Sequence, residues 1–298
     1  GADISYEAKV GYPPIRIKGK QLSKDKVQIN GNVSSQYISA LMLVASSLPN
    51  GLEIELIGKI TSVPYINMTM KLLQELGIDV GFYENKIIIK PMTVSESKTV
   101  VVESDWSSAS YFYSIIALSE VGSTVTLSSY KKDSLQGDSC LEEIYQHFGV
   151  ETTFGQHSIT LTKIANHSNN RLNLDLKNAP DIAQTISVTC FGLGIDCTLT
   201  GLHTLKIKET DRLVALENEL TKLGATISIT NESLDLERGN NINSNVGVET
   251  YNDHRMAMAF VPLALKVPIS ILDANVVTKS YRDFWKDMQQ IGFQIEKE

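Results

Sequence analysis

The chain has 298 residues, enough for two domains at ~100–200 residues each. Its 42% apolar and 20% charged residues fit an ordinary globular protein and exclude a disordered one. With 27 Lys+Arg against 34 Asp+Glu the net charge is −7, a poor basis for general nucleic-acid binding, while local positive groups still suffice for a small anionic ligand.

The first predicted element is a strand at Gly1-Ala2-Asp3-Ile4, which matches the strand starts after Gly77 and Gly224. A buried helix and strand follow in SSQYISALMLVASSLPNGLEIELIG from Ser34. Next comes a helix opened by Thr61-Ser62-Val63-Pro64-Tyr65, with Pro near its first turn. It continues as MKLLQELGIDVGFYENKIIIK, an amphipathic helix, a glycine and two short strands. The same order recurs from Ser107, from Pro180 and from Asp253. Each copy opens on a small polar or acidic residue suited to an N-cap, runs through apolar residues read as a largely buried helix, then turns into a β-branched strand. The starts Ser34, Ser107, Asp181 and Asp253 are 73, 74 and 72 residues apart. The glycines after the second helices, Gly77, Gly149, Gly224 and Gly292, are 72, 75 and 68 apart. Glycine there fits a helix C′ position, where positive φ is cheap only without a Cβ.

The predicted fold is therefore α/β (α+β), a tandem array of βαβαββ units with one strand ahead of each first helix. A boundary near Glu103 gives residues 1–103 the tail of one copy plus one complete copy, and residues 104–298 three copies. Gly1 lies one period, 76 residues, before Gly77, so the chain is expected to open partway through a copy. The alternative is a mature protein that simply starts with a strand pair.

Cys140, Cys190 and Cys197 are odd in number with no CxxC, and are read as reduced thiols of a cytoplasmic protein. The five histidines show no HxxxH or HxH spacing, so no metal site is expected. No apolar run reaches the ~20 residues that span a bilayer.

Chemistry is expected at the helix starts, where unpaired N–H groups and the helix dipole favour anions. Ser34, Ser35 and Gln36 read either as a plain N-cap or as a phosphate cradle. Ser62 and Tyr65 read as caps or as hydroxyls for the same ligand. Asp181 reads as a cap or as a general base on a cleft floor. In Lys206-Ile207-Lys208-Glu209-Thr210-Asp211-Arg212 the alternatives are a solvated salt-bridge cluster, or two cations for phosphate or carboxylate with an acid/base carboxylate between them. His254 and Arg255 open the fourth buried helix, where a cation opposes the dipole and points to a ligand. Lys279 has the same character. Recurrent cations with two carboxylates among them suit proton transfer on a multiply anionic substrate.

VSSQYISALMLVA, TSVPYINMTMKLL, DWSSASYFYSI, APDIAQTISV, KIKETDRLVALENEL, YNDHRMAMAF and TKSYRDFW, in this order, resemble the 5-enolpyruvylshikimate-3-phosphate synthase family over essentially the whole chain. KETDR followed ~40 residues later by NDHRMAMAF is the most specific part. The resemblance implies the enolpyruvyl transferase fold, a two-domain inside-out α/β barrel of six such units with the active site between the domains, here incomplete. It implies transfer of the carboxyvinyl group from phosphoenolpyruvate to shikimate 3-phosphate, with no metal or cofactor and with these two small molecules as the partners. By the resemblance, Ser34, Ser35, Gln36, Ser62 and Tyr65 contact shikimate 3-phosphate, and Asp181 accepts the proton of the attacking hydroxyl. Lys208 contacts both substrates, Glu209 is the second proton-transfer carboxylate, and Arg212, Arg255 and Lys279 bind phosphoenolpyruvate beside His254. Thr204 stands where the family often has an Asn that contacts the shikimate phosphate.

The family's early Lys-Ser…Arg and Gly-Asn-Ala-Gly-Thr segments, which supply much of the phosphoenolpyruvate site, are not found. The isolated chain is therefore expected to show no measurable carboxyvinyl transfer. The family is usually monomeric, whereas a repeat without its neighbours is expected to expose apolar surface and self-associate. The competing readings are UDP-N-acetylglucosamine enolpyruvyl transferase, which KETDR, NDHR and SSQ argue against, and a non-catalytic ligand-binding remnant.

Overall fold

The computed structural model describes residues 1–60, 63–92, 97–167, 171–239 and 241–297. The chain divides into two compact units, Gly1–Val101 and Val102–Glu298.

The first unit opens with the antiparallel pair β1 (Asp3–Tyr6) and β2 (Ile15–Lys18), both exposed along their length. One complete repeat follows: β3 (Lys26–Asn30), α1 (Ser35–Ala45), β4 (Leu52–Ile57), α2 (Val63–Glu75), β5 (Val80–Tyr83) and β6 (Lys86–Ile89). Its sheet order is β3-β4-β6-β5. The β3–β4 pair is parallel because α1 carries the chain back across the sheet, while β5 and β6 form a tight antiparallel hairpin. Alternation along β4 buries Leu52, Ile54 and Leu56, which meet Ile38, Met42 and Ala45 of α1 and Ile66 and Leu73 of α2. The expectation of a largely buried α1 needs correcting. Only Ile38, Met42 and Ala45, a stripe at helical spacing, are buried, and Tyr37, Leu43 and Val44 are exposed. One repeat has one sheet to offer, so one face of its helix is covered.

The second unit holds three repeats. The first comprises α3 (Trp106–Leu118), β7 (Thr124–Ser128), a 3-10 turn (Gly137–Cys140), α4 (Leu141–Gln146), β8 (Val150–Phe154) and β9 (Ser158–Lys163). The second comprises β10 (Arg171–Asp175), a 3-10 turn (Pro180–Ile182), α5 (Ala183–Leu193), β11 (Asp196–Thr200), a 3-10 turn (His203–Ile207), α6 (Arg212–Lys222), β12 (Thr226–Ile229) and β13 (Ser233–Glu237). The third comprises β14 (Val246–Val248), α7 (His254–Phe260), a 3-10 turn (Val261–Leu265), β15 (Ile269–Ile271), a 3-10 turn (Ala274–Lys279) and α8 (Phe284–Gln290).

Here three repeats share one core, and the first helices are buried as expected. Twelve of the thirteen α3 residues and nine of the eleven α5 residues are buried. Helix α5 packs against both α3 and α7. Two buried hydroxyl pairs fix the α3–α5 contact, Ser110 Oγ with Thr185 Oγ1 at 2.9 Å and Thr189 Oγ1 to Ser114 Oγ at 2.7 Å.

The sheet β10-β11-β13-β12 repeats the strand order of the first unit. The other two copies are reduced. Residues 100–105 form no strand before α3; Ser104 N–H reaches Ser129 O and Asp105 turns to cap the helix. That sheet has three strands, β7-β9-β8. In the last copy no strands form at 293–297, and β14 pairs in parallel with β15. No sheet among the described residues closes into a barrel. All four recurrent glycines have positive φ, from 74° at Gly149 to 105° at Gly292; Gly224 and Gly292 directly follow the C-caps Leu223 and Ile291, whereas Gly149 stands one residue further on, after the C-cap His147 and Phe148. No helix among the described residues is long and apolar enough to cross a membrane.

Candidate active site

In the three sheets with a parallel pair, β3–β4, β10–β11 and β14–β15, strand-to-helix connections gather helix starts at the carboxyl edge, the usual place for ligands in such folds. In the first unit Asn30 of β3 pairs with Ile57 of β4, and Gly31 N–H donates to Ile57 O at 2.8 Å. Helices α1 and α2 therefore leave from the same edge and stay joined by Ser39 Oγ and Thr69 Oγ1 at 2.8 Å. This places Ser34, Ser35 and Gln36 at one helix start and Tyr65 in the first turn of the next. Ser34 occupies the N-cap position but makes no side-chain cap bond, so the plain capping reading does not account for it. Ser62 lies outside the described residues.

In the second unit the predicted residues converge on Arg212, the first residue of α6, whose side chain is only 1% exposed. Arg212 Nε donates to Asp253 Oδ2 at 2.7 Å, Nη1 to Asp181 Oδ1 at 2.9 Å and Nη2 to Glu209 Oε2 at 2.7 Å. A guanidinium holds its donors in one rigid plane, so a single side chain fixes three carboxylates from three helix starts. Arg212 is thus a buried hub, while Lys206 and Asp211 of the same segment form a partly exposed pair at 2.9 Å. The hub refines the sequence reading of Arg212 as a substrate cation, because most of its N–H groups already face carboxylates.

Asp181 is drawn inward by two further cations, Lys208 Nζ at 3.3 Å from Oδ1 and Arg255 Nη2 at 3.4 Å from Oδ2. Burial alone would raise the pKa of this carboxyl. Arg255, Lys208 and Arg212 together outweigh burial and hold it well below the ordinary carboxylate range. Asp181 lies inside the 3-10 turn and occupies neither its N-cap, Ala179, nor that of α5, Ile182, and its carboxylate is turned to cations instead. The caps are Asp211, which accepts from Val214 N–H at 3.3 Å, and Asp253, which accepts from Arg255 N–H at 2.8 Å.

Asp253 thus caps α7 and holds Arg212 at the same time. The backbone bond lets α7 begin with His254 and Arg255 despite the unfavourable dipole. Burial and the Arg255 charge lower the His254 pKa, so its imidazole is neutral near pH 7. Neither His254 Nδ1 nor Arg255 Nε has a hydrogen-bond partner among the described residues. Thr204 Oγ1, one 3-10 turn before Lys208, is likewise buried without one. Lys279 does not join the Arg212 cluster directly; its Nζ donates to Asn252 O and Oδ1, both at 2.7 Å, one residue before Asp253.

Two residues of this region escaped the sequence reading. Asp138, in the turn before α4, is buried and accepts a hydrogen bond from Ser107 Oγ at the start of α3. Burial and the Asp181 charge push its carboxyl up to about 6. Glu219 is a fully buried carboxylate on α6. Glu219 follows KETDR on the same helix, and Asp138 sits in an unremarkable QGD, so only the α6 position carried a usable hint.

The EPSP synthase (3-phosphoshikimate 1-carboxyvinyltransferase) family model matches residues 1–288. The chain belongs to the EPSP synthase family. The 3-phosphoshikimate 1-carboxyvinyltransferase of Bacteroides fragilis (strain YCH46) is 41% identical over 99% of this chain and 72% of its own length. The protein of the same name from Haemophilus influenzae (strain Rd) is 35% identical over 98% of this chain and 67% of its own. A solved EPSP synthase from Acinetobacter baumannii superposes with a TM-score of 0.73 at 23% identity, covering 99% of this chain and 69% of that one. The enolpyruvyl transferase NikO from Streptomyces tendae gives 0.72 at 12% identity with the same coverage, and shares the fold alone. As an EPSP synthase family member the chain is of the transferase class.

Proposed function

We propose that the Arg212 cluster is the phosphoenolpyruvate and proton-transfer side of a carboxyvinyltransferase site acting on shikimate 3-phosphate. The observation that carries this is the buried Arg212, which aligns Asp181 and Glu209 beside Lys208 and Arg255. Lys208, Arg255 and Lys279 supply the charge for the phosphate and carboxylate of phosphoenolpyruvate, with Arg212 and neutral His254 beside them. Ser34, Ser35, Gln36, Ser62 and Tyr65 supply hydroxyl and amide contacts to shikimate 3-phosphate, and Thr204 offers a hydroxyl where relatives often carry an amide.

Asp181 is a weak base while three cations hold its charge. A phosphate dianion competes for Lys208 and Arg255 and releases the carboxylate to accept the proton of the attacking hydroxyl. The hydroxyl oxygen then bonds to C2 of phosphoenolpyruvate, and C3 gains a proton. Loss of a C3 proton, with departure of phosphate from C2, regenerates the double bond. Glu209, less buried than Asp181 and tethered by Arg212, takes a proton from solvent, gives it to C3 in the addition and receives it back in the elimination, while the proton accepted by Asp181 leaves with the phosphate. The cations stabilise the negative charge that moves onto the departing phosphate. The balance needs no redox partner. The free thiols Cys140, Cys190 and Cys197 suit a cytoplasmic location.

The test is acceptor-selective binding by titration calorimetry. Shikimate 3-phosphate and phosphoenolpyruvate are expected to bind, UDP-N-acetylglucosamine is not, and Arg255→Ala is expected to lose phosphoenolpyruvate. Binding of the UDP-sugar in preference would replace the reading with the competing transferase.

A further inference from the structure

Tyr251 and Asn252 adopt φ of 52° and 57°, two consecutive left-handed residues without a glycine. Asn tolerates this conformation, but a bulky Tyr does so rarely and only where its surroundings hold it. The turn stands immediately before Asp253, the cap of α7 and partner of Arg212.

Glu219 of α6 holds this turn. Its fully buried carboxylate accepts from Tyr251 Oη at 2.6 Å, from Glu249 N–H at 3.1 Å and from Lys222 Nζ at 2.9 Å. An i,i+3 Glu–Lys pair on a helix is ordinarily a surface feature, yet here the carboxylate is inside and serves the backbone of another segment. Asn218 Nδ2 adds a bond to Tyr251 Oη at 3.3 Å. Asn252 O and Oδ1 both accept from the Lys279 ammonium at 2.7 Å. A carboxylate on α6 and the Lys279 ammonium thus both bond to one left-handed turn, the first through the Tyr251 hydroxyl and the second through Asn252.

We propose that Glu219 is a positioning residue, which locks the Tyr251–Asn252 turn through the Tyr251 hydroxyl and so sets where the Lys279 ammonium stands to meet phosphoenolpyruvate. This rests on the reading of Lys279 as a phosphoenolpyruvate contact. Tyr251→Phe removes one hydroxyl and keeps the ring. It is expected to weaken phosphoenolpyruvate binding about tenfold, the size of a contact coupling, with shikimate 3-phosphate affinity unchanged. Glu219→Gln retains an acceptor for Tyr251 and is expected to keep most of the affinity, whereas Glu219→Leu is expected to lose as much as Tyr251→Phe. The double variant Tyr251→Phe/Lys279→Met is expected to bind no worse than Lys279→Met. Asn252→Gly keeps the left-handed turn at low cost and removes Oδ1, so it weakens the same ligand even if Glu219→Leu fails to fold.

Calorimetric titration with phosphoenolpyruvate at saturating shikimate 3-phosphate reads all of these. Unchanged affinity in Tyr251→Phe, alongside weakened binding in Lys279→Met, overturns the proposal and leaves the Lys279 reading intact. Unchanged affinity in Lys279→Met removes Lys279 itself from the ligand site.

Discussion

Arg212 and Asp253 meet at 2.7 Å with 1% and 0% of their side chains exposed, although they lie 41 residues apart in the chain. A buried ion pair adds little net stability against an apolar pair of the same shape, but removing one partner strands a charge. Asp253→Ala also removes the α7 cap. We expect it to cost about 3–5 kcal/mol in urea unfolding, a loss that includes the stranded Arg212 charge. Arg212→Met is expected to be as costly, because it leaves Asp253 buried and reduces Asp181 to Lys208 and Arg255. A loss below about 1 kcal/mol for either variant, the scale of an exposed pair, would show that water reaches the pair in solution.

The recurrent glycines after the second helices separate two costs that a sequence cannot distinguish. Gly149 has φ of 74°, and a Cβ there would stand 2.0 Å from Ala165 O. Gly292 has φ of 105° with nothing within 4 Å of a Cβ. Gly292→Ala is expected to cost only the left-handed strain, about 1–2 kcal/mol. Gly149→Ala is expected to cost at least twice as much, because backbone must also move. Equal midpoint shifts on chemical unfolding would mean that the Ala165 carbonyl yields freely.

These glycines were legible because one physical requirement recurs at one period. The helix starts were legible through their polar residues and 72–74-residue spacing, although of Ser34, Ser107, Asp181 and Asp253 only Asp253 caps its helix through its side chain. Where the sequence reading failed, neighbours decided. Residues 100–105 and 293–297 have strand-like composition but no ladder to join, so they stay irregular. Helix α1 looks as apolar as α5, yet only α5 lies among three repeats. The Arg212–Asp253 pair and the Glu219–Tyr251 pair join residues 41 and 32 apart, and no local pattern announces either.

Asp138 gives a pH dependence of known sign. Burial, then the Asp181 charge, raise its pKa from 3.8 to about 6, with Ser107 opposing. Between these values the folded state holds a proton that the unfolded chain has released, so stability falls as pH rises from about 4 to about 6. Above that window the charged form persists as a cost of about 3 kcal/mol, an order-of-magnitude figure from the two-unit shift. Asp138→Asn keeps an acceptor for Ser107 and removes the charge. It is expected to raise the thermal midpoint at pH 7 and to flatten the pH 4–6 slope. Asp181 acts with the opposite sign. Its folded pKa is depressed, so its contribution is complete above the unfolded value and is lost as pH falls through the folded one. A thermal midpoint for Asp138→Asn that still declines across pH 4–6 as in the parent would assign the slope to another group.

Asp181→Asn separates binding from chemistry. The amide keeps the size of the side chain and deprives Lys208, Arg212 and Arg255 of a shared counter-charge. Those cations then face an anionic ligand with less competition. Phosphoenolpyruvate affinity is therefore expected to hold or tighten, measured by titration calorimetry. Proton acceptance from the attacking hydroxyl is lost, since an amide has no basic oxygen at neutral pH. In a polypeptide that joins this sequence to the family's Lys-Ser…Arg and Gly-Asn-Ala-Gly-Thr segments, kcat is expected to fall about 10²–10⁴-fold, the range for removal of a general base. A variant that weakens binding and leaves kcat within about tenfold of the parent, short of that range, would make Asp181 an organiser of cations rather than the proton acceptor.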